Sequence, residues 1–581
     1  MRFHKTGILL TAIALLAFIL RTISAVNVEM KPDEMVYTVN AIGINGGGVL
    51  SIFQQTTLYS HFVDVWFQLF GVTAFTTRLP SIIFGTLAVI LIFYFIKELF
   101  HSEKAALLGS LLFAVSGFAI QYNYEMDMMG FFFALASAFF FLRFLNNGNE
   151  KEMYLATVLL GLALLSRTLT IFLMPAYLLV WVIKLRSQSA KKEPIDWKRL
   201  GKIVGICVGI GVLMFLPIIT YNYLSYKHNN ITDYYTSVML GIGKNVYEDI
   251  ENKPWSTSIL ISVFKTRGYE FIITEVFLLA LGIAGFITFY KRHQLATIFF
   301  ASSIIFLVGY VAGVTGSHPH FFWLPLVLSI FAGPMLEKIM LWINTRWNTK
   351  IISRVLVLLI VLLPLIVITP AITQQSSVLA LREYVNENIE DNAIVLMDPR
   401  IYHGIHAWTL NDKHYTGIQE FSAVNQAMQE YKGPTQQVPF YYIECGKETT
   451  CAWSTESYQE VASLGEKITA ELTPSLTKVA DVQGAERKAG ARHHFIIHQG
   501  SFAIIPEAYN FIDSRHVFWS YVVNWKHKEQ HADNYEAQGL EKPLEWISFV
   551  VLYLEVAFAF AAIVVMLVLL ARLTLNKTHS S

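Results

Sequence analysis

Acidic, basic and imidazole side chains stand at the ends of several long apolar runs in this 581-residue chain. An acid pair follows the first run and another follows the third: Asp33 with Glu34, and Glu125 with Asp127. Two arginines and two histidines fall at the same side: Arg21, Arg167, His318 and His320. Carboxylates serve as general bases toward a hydroxyl or amine, and arginines neutralise a phosphate leaving group. Because charge at membrane depth is costly, this set predicts group transfer from a membrane phospholipid-like donor.

Most of these residues also have a structural interpretation. Arg21 would snorkel to the outer headgroups, and the acids after the third run would cap the helix that follows. The first acid pair would be solvated loop residues, and the histidines would be interfacial aromatic groups. Arg167 is harder to explain in this way, because LALLSRTLTIFLM contains no acid. An unpaired cation there is expected to bind a lipid phosphate or a carboxylate of another span.

The apolar runs that position these groups indicate a polytopic membrane protein. The chain is 54% hydrophobic and 15% charged, whereas a soluble protein carries about 25% charged residues. The net charge of +1 favours no nucleic-acid partner. Runs long enough to cross about 30 Å of hydrocarbon predict a polytopic α-helical protein with about 11–13 spans. The twelve best runs are 7–25, 78–97, 104–121, 128–145, 153–166, 169–185, 201–220, 271–290, 295–313, 321–341, 352–371 and 546–570.

Lysine and arginine are concentrated in alternate loops, and this sorting predicts the orientation. The basic loops are 184–202, 290–294 and 337–350. Three loops on the opposite side of the membrane, 27–62, 121–127 and 314–320, together hold one lysine and no arginine. By the positive-inside rule the N-terminus lies in the cytoplasm of a cell inner or plasma membrane, and the candidate residues face outside.

Three parts follow from this topology. Residues 1–371 form a membrane domain with outer loops 27–77 and 221–270, and the first loop is expected to contain an amphipathic helix lying in the interface. Residues 372–545 alternate helix-like and strand-like segments, which predicts an extracytoplasmic α/β or α+β domain. Residues 546–581 form a last span and a short cytoplasmic tail.

Two cysteines of the outer domain, Cys445 and Cys451, lie close together in ECGKETTC. They predict a disulfide if that domain faces an oxidising compartment. His403 and His406 lack further ligands nearby, so an ordinary packing role is expected for both.

The motifs at the outer ends of the spans resemble the GT-C integral-membrane glycosyltransferases that use polyprenyl-phosphate sugars. The branch is that of the protein O-mannosyltransferases and the lipid A aminoarabinose transferase. An arginine that ends the first span, and Asp-Glu followed by a tyrosine, match Arg21 and DEMVY at 33–37. An L-Y pair before an aromatic helix ending in L-F-G matches residues 58–71, and R-L-P matches residues 78–80.

The match continues to about residue 340. It includes Met-Asp-Met at 126–128, the cation Arg167, and HFFWLP at 320–325 or its overlapping register from His318. Many relatives carry a cation before the L-Y pair, whereas this chain has QQTTLY, so one contact to the donor phosphate is missing.

The resemblance implies a glycosyltransferase that moves a single sugar, with inversion, to a protein, lipid or glycan acceptor outside the cytoplasm. Asp33 would be the catalytic base or would orient the acceptor, and the catalytic set would be Asp33, Glu34 and Asp127. The donor phosphate would be bound by Arg167, Arg21 and Arg78. Substrate contacts would come from Tyr37, Tyr59, Glu125, His318 and His320. A divalent metal ion, held by Asp127 and Glu125, is the one cofactor that the resemblance suggests.

Two other classes fit the composition. A transporter or lipid flippase would show internal repeats and charges at the middle of spans, and neither is evident. A non-catalytic scaffold would tolerate Asp33→Asn.

Overall fold

The computed structural model describes most of the chain. The described residues are 5–28, 34, 38, 41, 57–71, 73–123, 126–191, 196–233, 236–237, 241–245, 255–313, 318–348, 350–401, 414–416, 418–446, 458–483, 494–511 and 537–575. The chain divides into two compact units. The first contains residues 1–25, 40–369 and 529–581, and the second contains residues 26–39 and 370–528.

The first unit is helical. Up to the basic loop at 184–202 its helices are α1 (Lys5–Val26), α2 (Thr57–Phe70), α3 (Ala74–Phe100), α4 (Glu103–Ala114), α5 (Gly117–Tyr122), α6 (Asp127–Asn147), α7 (Glu150–Ser166) and α8 (Met174–Ala190). After it come α9 (Trp197–Met214), α10 (Leu216–Asn229), α11 (Thr257–Val263), α12 (Tyr269–Phe289), α13 (Gln294–Val311), α14 (Trp323–Trp347) and α15 (Lys350–Thr373). The last helix of the chain, Glu541–Leu575, also belongs to this unit. Two short strands, β1 (Ile231–Thr232) and β2 (Lys244–Asn245), pair in parallel.

Among the described residues, nine helical segments are long and apolar enough to cross a membrane, and the bent pair α9–α10 makes a tenth. Each of the twelve predicted runs coincides with helical structure, so the polytopic helical class is confirmed. The nine or ten segments among the described residues are fewer than the 11–13 spans expected. Three runs are not single full-length helices, and one of them, 201–220, is divided between α9 and α10. The run 104–121 is divided between α4 and α5. Helix α7 has 17 residues and is about 26 Å long, slightly short of the hydrocarbon thickness.

Capping contacts define the ends of α3 and α6, two of the most buried helices. Before α3, the Thr73 hydroxyl accepts from the Thr76 amide at 3.0 Å and the Thr73 amide donates to the Thr76 hydroxyl at 2.8 Å, a reciprocal capping box. Helix α6 ends at Gly148, whose φ of +69° is the left-handed conformation that glycine adopts without strain.

The amphipathic helix expected in the first outer loop is present as α2. It does not expose one face in the way an interfacial helix would, because residues 57–64 are all buried. The Phe62 ring stacks on Phe560 of the C-terminal helix, with 4.4 Å between the ring centroids. The C-terminal helix therefore covers a face that the sequence pattern assigned to the membrane interface.

The second unit contains a five-stranded mixed sheet. Its strands are β3 (Ile394–Met397), β4 (His414–Thr416), β5 (Gln436–Cys445), β6 (Thr477–Gln483) and β7 (His494–Ile504), in the order β4-β3-β5-β7-β6. β3 is parallel to β4 and β5, whereas β7 is antiparallel to β5 and β6. The helices of the unit are α16 (Ser377–Asn388), α17 (Ile418–Glu430), α18 (Tyr458–Leu472) and α19 (Pro506–Phe511). The predicted mixed helix-and-strand fold of this region is confirmed.

The core of this unit explains why β3 reads as a continuous apolar run. All four of its residues are buried, as expected for a parallel strand covered on both faces. Ile394 and Leu396 pack in one cluster with Phe440 of β5, Phe421 of α17 and Ile504 of β7. The C-terminal helix Glu541–Leu575 is called α20 below, and it belongs to the first unit.

Candidate active site

Three of the predicted residues meet in one buried cluster of the first unit. Arg167 donates from Nε to Asp127 Oδ1 at 3.0 Å, and His320 Nδ1 lies 2.9 Å from the same oxygen. Arg167 Nη2 lies 3.1 Å from both ring nitrogens of His320. The exposed fractions of Asp127, Arg167 and His320 are 0%, 4% and 9%. Residues separated by up to 193 positions thus form one polar group in a helical membrane domain.

Each member of this cluster stands where a regular helix begins or ends. Asp127 is the first residue of α6. Arg167 ends α7 in an extended conformation and precedes the 3₁₀ helix Thr168–Leu173. His320 lies in the 3₁₀ helix His318–Phe321, just before α14. The helix ends therefore deliver an acid, a guanidinium and an imidazole to one place.

A glycine of α6 makes room for the arginine. Gly130 lies one turn after Asp127, on the same face of the helix. A Cβ atom at this position would come within 2.6 Å of Arg167 Cβ. The missing side chain therefore lets the Arg167 stem lie against α6, from which its guanidinium reaches the carboxylate.

The two oxygens of Asp127 have different surroundings. Oδ1 accepts from Arg167 and faces His320, whereas Oδ2 is buried and has no hydrogen-bond partner within the described part of the chain. An unsatisfied buried carboxylate oxygen is expensive, and such atoms in a native structure point to a substrate or a proton.

A second polar group joins α1, α2 and α3. Arg78 is buried and donates from Nη1 to the carbonyl oxygen of Ala25 at the end of α1. The Tyr59 hydroxyl lies 3.3 Å from Ser81 Oγ. The Ser81 carbonyl also accepts from Asn123 Nδ2 at 3.1 Å, four residues before Asp127. The predicted residue Tyr59 is therefore linked through Ser81 to the chain that leads into the cluster, whereas Arg78 donates to the end of α1.

Arg21 is placed differently from the other predicted phosphate ligands. It is 1% exposed, and its guanidinium donates to backbone carbonyls of Ala17, Phe113 and Ala114 at 3.2–3.4 Å. The structure does not bring it to the Asp127 cluster.

Several predicted residues cannot be placed. Asp33, Tyr37, Glu125, the side chain of His318, and Cys451 lie outside the described residues. Glu34 is helical and buried in the second unit, and its carbonyl accepts from the Thr38 hydroxyl at 2.7 Å.

Cys445 is disulfide-bonded, whereas Cys207 carries a free thiol. Among the described residues, no group of three or more His, Cys, Asp or Glu side chains could hold a metal ion.

Sequence reasoning missed three buried polar residues, Glu275 beside α5, His61 in α2 and Glu555 in α20, and also Gly130 beside Arg167. A sequence signal existed for the acids. Glu275 and Glu555 are isolated acids in the apolar runs IITEVFLL and LYLEVAFA, and an intramembrane acid is a functional candidate by default.

Residues 54–221, which include Asp127 and Arg167, match the dolichyl-phosphate-mannose-protein mannosyltransferase family. No curated protein matches the chain. Among solved structures, the chain is similar to ArnT from Cupriavidus metallidurans in the apo state, with 13% identity and a TM-score of 0.49. It is also similar to the same enzyme bound to undecaprenyl phosphate, with 13% identity and a TM-score of 0.46. Both likenesses cover 85% of this chain and 97% of the other. The family match confirms the predicted class of enzyme, a membrane glycosyltransferase with a lipid-linked sugar donor.

Proposed function

We propose that this protein transfers a single sugar from a polyprenyl-phosphate donor to a hydroxyl or amine of a protein, lipid or glycan acceptor. The family match over residues 54–221 supports the class of reaction. The observation that carries the proposal is the buried cluster of Asp127, Arg167 and His320 at the ends of three membrane helices. This cluster supplies a guanidinium and an imidazole that can bind a departing lipid phosphate.

In the proposed mechanism, Arg167 binds the donor phosphate. Cleavage of the glycosidic C–O bond leaves an extra negative charge on the polyprenyl phosphate. Arg167 and the imidazole of His320 stabilise this developing charge in a site from which water is largely excluded. Asp127 Oδ1 accepts from the guanidinium Nε and so fixes its orientation before the donor arrives.

The acceptor attacks the anomeric carbon from the side opposite the phosphate. A new C–O or C–N bond forms, the C–O bond to phosphate breaks, and the electron pair leaves with the polyprenyl phosphate. The acceptor proton passes to a carboxylate, a role for which we propose Asp33 on the basis of the DEMVY motif. A single displacement of this kind inverts the anomeric centre. Glu34, Tyr37 and Glu125 are proposed only as further contacts to the substrates.

The side chain of Asp127 is a poor fit for the divalent metal that the motif suggests. Its Oδ1 is 3.0 Å from a guanidinium nitrogen, so a metal ion bound there would lie against a fixed positive charge. Hard divalent ions require several oxygen ligands, and within the described residues Asp127 belongs to no group of three or more His, Cys, Asp or Glu side chains that could hold one. We therefore derive no step through a metal.

We propose that the site faces the extracytoplasmic side, with the N-terminus in the cytoplasm. The support is the concentration of lysine and arginine in the loops 184–202, 290–294 and 337–350. Glycosylation-tag or cysteine-labelling scans of the loops would test this orientation directly.

The experiment for the function uses the purified full chain in nanodiscs with polyprenyl-phosphate donors that carry radiolabelled hexoses or pentoses. A membrane extract depleted of the enzyme supplies the acceptors. Label is expected to move from the lipid to an acceptor with wild-type protein, and at least about 10²-fold more slowly with Asp127→Asn. In a parallel assay in sealed proteoliposomes, movement of intact donor across the bilayer without transfer of label would instead support a flippase.

A further inference from the structure

The region before the Asp127 cluster contains a helix break at Val115–Ser116, between α4 and α5. The two helices would otherwise read as one run, since 104–121 is continuously apolar apart from small polar residues. A break in a membrane helix frees backbone groups that must find partners away from water. The partners here are two buried charged side chains from distant parts of the chain, Arg21 and Glu275.

Glu275 of α12 accepts hydrogen bonds from the residues on the α5 side of the break. Its Oε1 accepts from the Phe118 amide at 2.7 Å and from the Ser116 hydroxyl at 2.8 Å. Ser116 Oγ in turn accepts from the Ala119 amide at 3.1 Å. Glu275 is 3% exposed and has non-helical angles, φ −124° and ψ 20°, at a kink in α12. The kinked acid thus satisfies the first turn of α5.

Arg21 of α1 donates hydrogen bonds to the backbone on the α4 side of the break. Its guanidinium donates to the carbonyls of Ala114 and Phe113, each at 3.4 Å, and lies 5.1 Å from the centre of the Phe113 ring. These carbonyls belong to the last turn of α4, which carries a partial negative charge, and the Phe113 carbonyl also accepts from the Ser116 amide at 3.3 Å. Neither Arg21 nor Glu275 has an ion-pair partner within the described residues, so both charges are directed at the backbone of the break.

The segment fixed in this way leads to Asp127. Asn123, one residue after α5, is 2% exposed and donates to the Ser81 carbonyl. Tyr122 of α5 donates to Glu270, one turn before Thr274 and Glu275 in α12. Gly117 packs so closely against Ile368 that a Cβ would come within 2.7 Å of its methyl group. Helix α5 therefore has little freedom to move, and it sets the position from which the chain enters α6.

We infer that Glu275 is a positioning residue for the transfer reaction: its hydrogen bonds to the broken helix, opposed by those of Arg21, set the place of Asp127 and hence of Arg167. The inference depends on the proposed function, since its effect is measured on sugar transfer. It acts through hydrogen-bond acceptance, and a glutamine at position 275 retains an oxygen that accepts from Phe118 and Ser116.

The test is a double-mutant cycle measured as kcat and KM for labelled donor, in the purified full chain. Glu275→Ala is expected to lower kcat/KM by about 10- to 100-fold, as a displaced catalytic group does, through a lower kcat and a raised KM for the donor that Arg167 binds. Glu275→Gln is expected to remain within about threefold of wild type. In an Asp127→Asn background, Glu275→Ala is expected to cost at most about twofold more, because both changes remove the same contribution.

Thr220→Val is the matched control for a buried polar contact of the same unit. The Thr220 hydroxyl lies 2.7 Å from Ser548 Oγ, between α10 and α20, and the variant is expected to leave kcat unchanged in both backgrounds. If Glu275→Ala does not fold, Ser116→Ala gives a milder form of the same test and is expected to show the same non-additivity with Asp127→Asn.

The outcomes separate the two claims. Multiplicative loss from Glu275→Ala and Asp127→Asn, in folded protein with an active wild type, would overturn the positioning role and leave the proposed function intact. Absence of transfer by the wild type with every donor would overturn the function first.

Discussion

The role of Arg167 depends on the planar geometry of its guanidinium, and Arg167→Lys tests this dependence. Lysine keeps the positive charge but loses the planar fork that reaches two partners at once. In the structure, Nε is 3.0 Å from Asp127 Oδ1 and Nη2 is 3.1 Å from the His320 ring nitrogens. An ammonium group at the end of a lysine would keep one of these contacts.

The size of the effect follows from the contact that is lost. A hydrogen bond to a charged group contributes about 1.5–3 kcal/mol. At 1.36 kcal/mol for each factor of ten, losing one such contact lowers kcat/KM by about 10- to 150-fold. Arg167→Met removes the charge as well and leaves Asp127 buried without its ion pair. It is therefore expected to lose more activity and to lower the melting temperature, because breaking a buried pair costs about 3–5 kcal/mol.

The control uses an arginine of α6 itself. Arg143 pairs with Glu152 at 2.9 Å, is partly exposed, and lies 16 residues from Asp127, about 24 Å along the helix. Arg143→Lys is expected to stay within about twofold of wild type, since an exposed pair contributes about 1 kcal/mol at most. The assay is the initial rate of sugar transfer at varied donor concentration, with folding checked by thermal unfolding. Equal rates for Arg167→Lys and wild type would refute the reasoning.

The remaining predictions concern other parts of the molecule. Asp33→Asn is expected to lower kcat by at least about 10²-fold with donor binding retained, measured as transfer and as donor affinity; full activity would remove Asp33 from the mechanism. Treatment with EDTA is expected to leave transfer within about twofold, because Arg167 occupies the position beside Asp127; loss of transfer that Mn²⁺ or Mg²⁺ restores would contradict this. Burial, opposed by a hydrogen bond to the Thr57 carbonyl, lowers the pKa of His61 to about 4. As the pH falls, His61 is protonated in the unfolded chain before it is protonated in the folded protein. The free energy of unfolding is therefore unaffected by His61 above pH 6.5 and decreases as the pH falls toward 4. The decrease amounts to on the order of 3 kcal/mol, and His61→Phe should flatten the melting-temperature profile in that range. Phe440→Ala in the second unit is expected to destabilise its sheet by about 3–5 kcal/mol in thermal unfolding, whereas the same change at the exposed Val479 should have little effect.

The membrane spans and the cluster residues could be predicted from local features of the sequence. Long apolar runs locate the helices because hydrocarbon imposes both length and composition. Asp127, Arg167 and His320 stand at the ends of those runs, and charge at such positions is costly enough to indicate a function. Their meeting was not predictable from spacing, since 40 and 153 residues separate Arg167 from its two partners.

The break between α4 and α5 shows where local reasoning ends. Nothing in LLGSLLFAVSGFAIQ requires a break, because glycine and serine occur in many continuous membrane helices. The break is stabilised by Arg21, 93 residues before Ala114, and by Glu275, 157 residues after Phe118. The sequence pattern therefore assigned Arg21 to the donor phosphate, whereas its hydrogen bonds go to backbone carbonyls. The buried face of α2 was missed for the same reason, because α20 lies almost 500 residues away.

The most direct test of the mechanism is transfer of labelled sugar from a polyprenyl-phosphate donor by the purified protein, compared among wild type, Asp127→Asn, Arg167→Met and Arg143→Lys. Wild type and Arg143→Lys are expected to transfer the label with inversion at the anomeric carbon, while Asp127→Asn and Arg167→Met fall by at least about 10²-fold. Equal transfer by all four proteins would contradict the assignment of this cluster as the site of the reaction.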